Sequence, residues 1–215
     1  MENGGSVVLN RLSVCQVEPR LNLRVEKGQA TRRQLVAAAT DLFATQGYEA
    51  TSIDSVLDAA GVSRGALYHH FAGKEALFEA VLEDVEVQLA ADVVAAAGAA
   101  EDPRRSLQAG CLAWLQRLRD PVVRRIVLVD APAVVGWARW REIDECHWFG
   151  LLKAALAESL PPSRLDPTSL DVLAHMLLAA LNEVAFVIAR ADDTEAAARA
   201  GEAAVVDLLG RLLAG

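Results

Sequence analysis

The run from Thr51 to Phe71, TSIDSVLDAAGVSRGALYHHF, admits few backbone paths. Ile53, Val56, Leu57 and Ala60 recur at helical spacing and give one short helix a single apolar stripe. Thr51 or Ser52 can cap its N-terminus, and Thr51 with Asp54 approximates a capping box. Gly61 follows at once, where helices commonly end in a left-handed residue that glycine adopts without steric cost. Val62 is an apolar plug between two helices, and Ser63 is a second N-cap from which the next helix starts. Two helices joined by a three- to four-residue turn containing glycine make a helix-turn-helix.

The second helix has an unusual outer face. Ala66 and Leu67 face inward, which leaves Ser63, Arg64, Gly65, Tyr68, His69 and His70 outside, with no acid between Val62 and Gly73. A merely solvated face would carry Glu and Lys. This one has the size and chemistry to enter a DNA major groove, where residues near the helix N-terminus reach base edges. Arg64 suits a guanine edge or a phosphate, and Gly65 lets the backbone approach closely. Tyr68 and His69 suit phosphate oxygens, with a thymine methyl as an alternative contact for Tyr68. Lys74, just after Gly73, stands at the start of the next helix, a favourable place to meet phosphate. The expected DNA-facing set is Thr51, Ser52, Ser63, Arg64, Gly65, Tyr68, His69 and Lys74.

The flanks extend the pattern. Upstream, Leu35, Ala38, Ala39, Leu42 and Phe43 form a helical stripe ended by Gly47-Tyr48; downstream come Lys74-Glu75-Ala76-Leu77-Phe78. The segments Phe43–Ile53, Ala60–Ser63, Leu67–Phe71 and Lys74–Leu77 closely resemble the N-terminal domain of TetR-family transcriptional regulators. The resemblance implies an all-α chain: a three-helix DNA-binding domain over residues 29–76, then a larger effector-binding and dimerisation domain over 77–215. It also implies a homodimer, operator DNA and a small-molecule effector as partners, and regulation most often by repression.

Composition agrees with a helical, non-membrane protein. Of 215 residues 53% are hydrophobic, alanine and leucine dominate, and β-branched runs are few. No uninterrupted apolar run reaches the roughly 18–20 residues that span a bilayer, and no signal peptide is recognisable at the start. Three widely separated cysteines, Cys15, Cys111 and Cys146, argue for a reducing compartment and against a disulfide scaffold. A cytoplasmic location is expected. The formal charge of −8 disfavours bulk attraction to nucleic acid. Residues 1–80, with 8 basic and 9 acidic side chains, are nearly neutral, so the acidity lies mainly beyond them. DNA binding would then rest on a few placed residues rather than on a broad basic field. Residues 1–28 read as a poorly ordered leader, interrupted by Pro19, with a basic arm (Arg20, Arg24, Lys27) as the alternative.

In the larger part, Leu77, Phe78, Val81, Leu82, Val85 and Leu89 mark a long helix to about Ala97. A helix starting at Asp102-Pro103 carries Leu107, Cys111, Trp114, Leu115 and Leu118; another runs from Asp120-Pro121 and is expected to end near Ala131-Pro132. Trp137, Trp140, Asp144 and Trp148 fall on one broad helical face, with His147 beside it. With Trp114 converging on them, an apolar effector pocket is expected from Cys111, Trp114, Leu118, Trp137, Trp140, Asp144, His147 and Trp148. The last two helices carry wide apolar faces, and Leu177, Leu181, Val184, Val205, Leu208 and Leu212 are the expected dimer contacts. No metal-ligand spacing occurs, and neither cofactor nor catalysis is expected. Two other readings stand beside this one: a helix-turn-helix relic serving protein contacts, and an all-α enzyme using His147 with Glu142 or Asp144.

Overall fold

The computed structural model describes residues 18–164 and 166–214. They are almost wholly helical, with no strand among them. The first helix, α1 (Glu18–Gln46), begins inside the expected leader, so residues 18–28 are helical rather than unstructured. Pro19 does not interrupt it. It lies in the first turn, where an N–H would have no intrahelical acceptor. The rest of the leader lies outside the described residues.

The turn region folds as its residues dictate, with one correction. Ser52, not Thr51, caps α2 (Ile53–Ala60), and the box is closed by Ser55 rather than Asp54. Ser55 N–H donates to Ser52 Oγ at 3.0 Å and Ser52 N–H to Ser55 Oγ at 3.1 Å. Gly61 adopts φ 65°, ψ 34° and ends the helix. Ser63 then caps α3 (Arg64–His70). Leu35, Ala39 and Phe43 of α1 meet Val56, Leu57, Leu67 and Phe71, and the rings of Phe43, Tyr48 and Phe78 gather with centroids 5.2–5.7 Å apart.

Helix α4 (Lys74–Gly98) begins in the head and continues into the body, so the boundary expected after residue 76 falls inside a continuous helix. Leu77 and Phe78 close the head core; Val81, Leu82, Val85 and Leu89 join the core of the body. Helix α4 packs against α1, α5 (Pro103–Arg117) and α8 (Trp137–Ser159); α9 (Pro167–Arg190) lies on α8, α10 (Thr194–Ala214) lies on α5, and α9 and α10 pack on each other. Asp102, Asp166 and Asp193 cap α5, α9 and α10. Helices α9 and α10 touch at Gly201, where an added Cβ would stand 2.7 Å from Val184 Cγ1. By length and mean hydropathy α9 could cross a bilayer, yet Asn182 and Glu183 interrupt it and Leu170, Ala174, Leu177 and Leu181 are packed inside the protein.

Between α5 and α8 the chain departs from expectation. Helix α6 (Pro121–Val123) leads into a π-helical segment, Arg124–Asp130, and then α7 (Ala131–Val134), so the helix does not end at Ala131-Pro132. In π winding each N–H bonds five residues back, and Ala131 N–H duly donates to Ile126 O. The next donor in that register would be residue 132, a proline with no N–H. The Trp140 indole supplies the missing donor, with Nε1–H reaching Val127 O at 2.9 Å. Pro132 is thereby tolerated inside the rod.

Candidate nucleic-acid interface and ligand cavity

The outer face of the head carries most of the residues expected to meet DNA. Tyr68 is 51% exposed, and Ser52, Ser63, Arg64, Gly65 and His69 are also at the surface. Gly65 has no neighbour within 4 Å of where a Cβ would stand. Two cations are engaged within the chain. Arg64 is ion-paired with Asp54 across the turn, and Lys74 Nζ sits 4.1 Å over the Tyr48 ring and 3.4 Å from Glu49 O. Each must swing from these partners to reach a phosphate. Thr51 does not belong to the face. It is 1% exposed, and its hydroxyl donates to Gly47 O at 2.8 Å, holding the turn between α1 and α2.

That turn is also where the head meets the body. Gly47 has φ 83°, and a Cβ there would lie 1.9 Å from Arg125 Nη2. The guanidinium of Arg125 thus occupies the space a side chain would take. Arg125 pairs with Asp130 at 3.2 Å, and Asp130 Oδ2 also accepts the Tyr48 N–H at 3.0 Å. One carboxylate of the π-helical segment therefore holds both the cation and the head's backbone.

The body contains a cavity of about 360 Å³ bounded by α4, α5, α8 and α9. Val94, Leu151 and Glu158 stand at its exposed rim, while Trp114, Trp148, Leu181 and Asn182 form buried wall. The structure brings Cys111, Trp114 and Trp148 to it as expected, with the two indoles 6.3 Å apart edge to face. Leu118, Trp137, Trp140, Asp144 and His147 do not line it. Trp137 is 57% exposed and stacks on Trp140 and Phe186. Trp140 is turned to the π-helical segment, and Asp144 lies one layer behind the wall. The tryptophans share a helix, but its successive turns pack against different neighbours.

Two buried polar pairs back the cavity. Trp148 Nε1–H donates to Glu86 Oε2 at 2.9 Å, and Asn182 Nδ2–H to Asp144 Oδ2 at 2.7 Å. Burial pushes Glu86 up to about 8 despite the indole hydrogen bond. Burial also raises Asp144, to about 6, with the Asn182 amide and then Arg141 holding it down. Cys111 is buried and pushed up to about 12, an inert thiol, whereas Cys146 is exposed.

The expected dimer residues divide. Leu177, Leu181 and Val205 are buried within the chain, Val184 and Leu212 are half-buried, and Leu208 is exposed. The outward apolar residues of α9 are Val172, Met176 and Val187, and Val206 joins Leu208 on α10. No group of three or more potential metal ligands is gathered among the described residues. Glu142 is exposed and paired with Arg139, while Asp144 is buried on Asn182, so the acids of the enzyme reading point apart.

Comparison with known proteins bears on both halves. A family described as bacterial regulatory proteins, tetR family, matches residues 35–81, and the tetracyclin repressor-like C-terminal domain matches residues 105–212, half of the chain. The chain belongs to the TetR family. As a TetR-family member it is a DNA-binding transcriptional regulator. It is similar to the transposon Tn10 TetC protein of Escherichia coli, 26% identical over 73% of this chain and 79% of that one. The activator FasR of Mycolicibacterium smegmatis is 39% identical, but the match spans only 39% of this chain and 38% of FasR. Among solved structures, a TetR-family regulator from Pectobacterium atrosepticum superposes with TM-score 0.78 at 32% identity, over 88% of this chain and 97% of that one.

Within this TetR-family chain, sequence reasoning missed Glu86 and Asn182. Each is a polar residue on an otherwise apolar stripe, Glu86 between Val85 and Leu89 and Asn182 after Leu178 and Leu181. That break in the pattern was the available signal.

Proposed function

We propose that the protein is a homodimeric repressor that leaves its operator when a small, mainly apolar molecule fills the cavity between α4, α5, α8 and α9. In the DNA complex α3 of each subunit lies in a major groove. Tyr68, His69 and the Gly65 backbone make contacts there, Ser52 and Ser63 stand beside them, and Arg64 and Lys74 turn from Asp54 and Tyr48 to phosphates. The exposed, acid-free face of α3 carries this reading. Val172, Met176, Val187, Val206 and Leu208 pair the subunits, which sets two recognition helices about 34 Å apart, one turn of DNA. Helix α4 supports it as the transmitting element, since it lines the cavity at Val93 and Ala97 and begins in the head at Lys74. An effector that favours the operator-incompetent arrangement by about 1–3 kcal/mol lowers affinity roughly 5- to 150-fold.

The test uses an operator recovered by selection from random duplexes. Tyr68→Ala with His69→Ala should cut affinity at least tenfold in a gel-shift titration, leaving elution volume unchanged, because each placed contact is worth about 1–3 kcal/mol, whereas Lys74→Ala should lower the salt slope by about one. Unchanged affinity would place the DNA face elsewhere.

A further inference from the structure

The chain has four tryptophans, and three of their indole N–H groups have a settled environment. Trp140 Nε1–H donates to Val127 O at 2.9 Å and Trp148 Nε1–H to Glu86 Oε2 at 2.9 Å, both inside the protein. Trp137 is 57% exposed, so solvent can serve it. Trp114 is the exception. It is only 5% exposed, yet its Nε1–H meets no acceptor among the described residues and keeps accessible surface. Buried indoles usually find an acceptor, so an open N–H on so enclosed a ring calls for one from outside the chain.

The cavity is where that acceptor enters. Trp114 lines it from α5, beside Leu107 and Cys111. Of the other polar side chains of the wall, Asn182 Nδ2–H is turned to Asp144 Oδ2 at 2.7 Å and the Ser106 hydroxyl to Ala97 O at 2.9 Å, while Glu158 stands at the exposed rim. Val93, Leu107, Leu152 and Leu178 make the remainder apolar, and Trp148 stands edge to face with Trp114 at 6.3 Å. A pure hydrocarbon filling this space would seal the Trp114 N–H from water with nothing to receive it. A body of the same shape that carries an acceptor at that point escapes the penalty, and a site with a donor to satisfy discriminates between the two.

We infer that the effector is a mainly apolar molecule carrying a hydrogen-bond acceptor, such as a carbonyl oxygen or a ring nitrogen, that receives the Trp114 Nε1–H. This rests on reading the cavity as the effector site. Trp114 then has two tasks. Its ring forms wall with Trp148, and its N–H fixes which way round the ligand lies.

Two probes of nearly equal shape test it, 2-acetylnaphthalene and 2-isopropenylnaphthalene, which differ by a carbonyl against a methylidene group. Each is titrated into the full chain and into Trp114→Phe, which keeps an aromatic wall and removes the N–H. The affinity of the ketone relative to the alkene should fall about tenfold from parent to variant, the worth of one neutral hydrogen bond. In isotope-labelled parent protein the Trp114 indole proton resonance should move further downfield with the ketone than with the alkene, a readout that does not need the variant to fold. An unchanged affinity ratio, equal shifts of that proton with the two probes, or no binding of either probe to the parent would overturn the assignment. The same titrations separate this inference from the regulatory reading. If the ketone shows the stated preference but operator affinity in the same solution is unmoved, the ligand chemistry stands and the effector role falls.

Discussion

Glu86 shows how much one side chain can set in this molecule. It is 1% exposed on the inner face of α4, accepts the Trp148 indole, and is held protonated by burial up to about 8. A carboxyl whose pKa rises on folding binds its proton more tightly in the native state. Stability is then highest below the unfolded value and declines as pH climbs toward the folded one. Asp144 gives the same sign but finishes near 6, so between pH 6 and 8 the decline belongs to Glu86. Glu86→Gln keeps an acceptor for the indole and removes the titration. Its urea-unfolding free energy should lose up to about 1.4 kcal/mol per pH unit of slope in that window; parallel profiles for parent and variant would refute the protonated state. Other single residues were less legible. Ser52 and Thr51 are both cap formers, and only the packed turn decides that Thr51 points inward to Gly47 O. Cys111, Trp114 and Trp148 were readable as pocket residues because bulky aromatics at helical spacing must meet something.

At the scale of elements, periodicity revealed which segments are helices but not which face goes where. Helix α9 is apolar nearly all round, so Leu177 and Leu181 fit an outward seam as well as Val172 and Met176 do, and only the packing of α8 and α10 assigns the former to the core. The π winding of Arg124–Asp130 was hidden for a different reason. It depends on a distant indole capping Val127 O, and no local pattern announces that. The turn after α1 was readable as glycine-dependent, but its neighbour was not. Gly47→Ala introduces a Cβ at φ 83° and pushes it into Arg125. Strain of about 1–2 kcal/mol is expected from the backbone, with a further loss as Arg125 leaves its seat. Chemical denaturation should report a total of about 2–3 kcal/mol. A variant as stable as the parent would mean that Arg125 does not need that space.

At the scale of the whole molecule, the two parts have different charge and different tasks, yet one apolar core runs from Leu35 in the head to Leu213 at the end of α10. The helix crossing residue 76 was legible from its stripe, but the sharing of one core across the domain bound that the resemblance implies was not. The proposed dimer is a property of this scale. Met176, 63% exposed and mid-way along α9, is its most accessible apolar residue. Met176→Glu should convert the dimer to monomer in sedimentation equilibrium with helicity unchanged, and should weaken operator binding more than tenfold because the two heads are no longer tied. A dimeric variant would move the interface off this face.

The seating of Arg125 over Gly47 has a consequence for how freely such heads can be exchanged. A recognition domain grafted from a relative brings its own residue at the position of Gly47. Any side chain there collides with a guanidinium anchored on the recipient body by Asp130. Positions 47 and 125 are therefore best moved together, and a chimera that puts a side chain at position 47 while keeping Arg125 is built with its joint already wedged open.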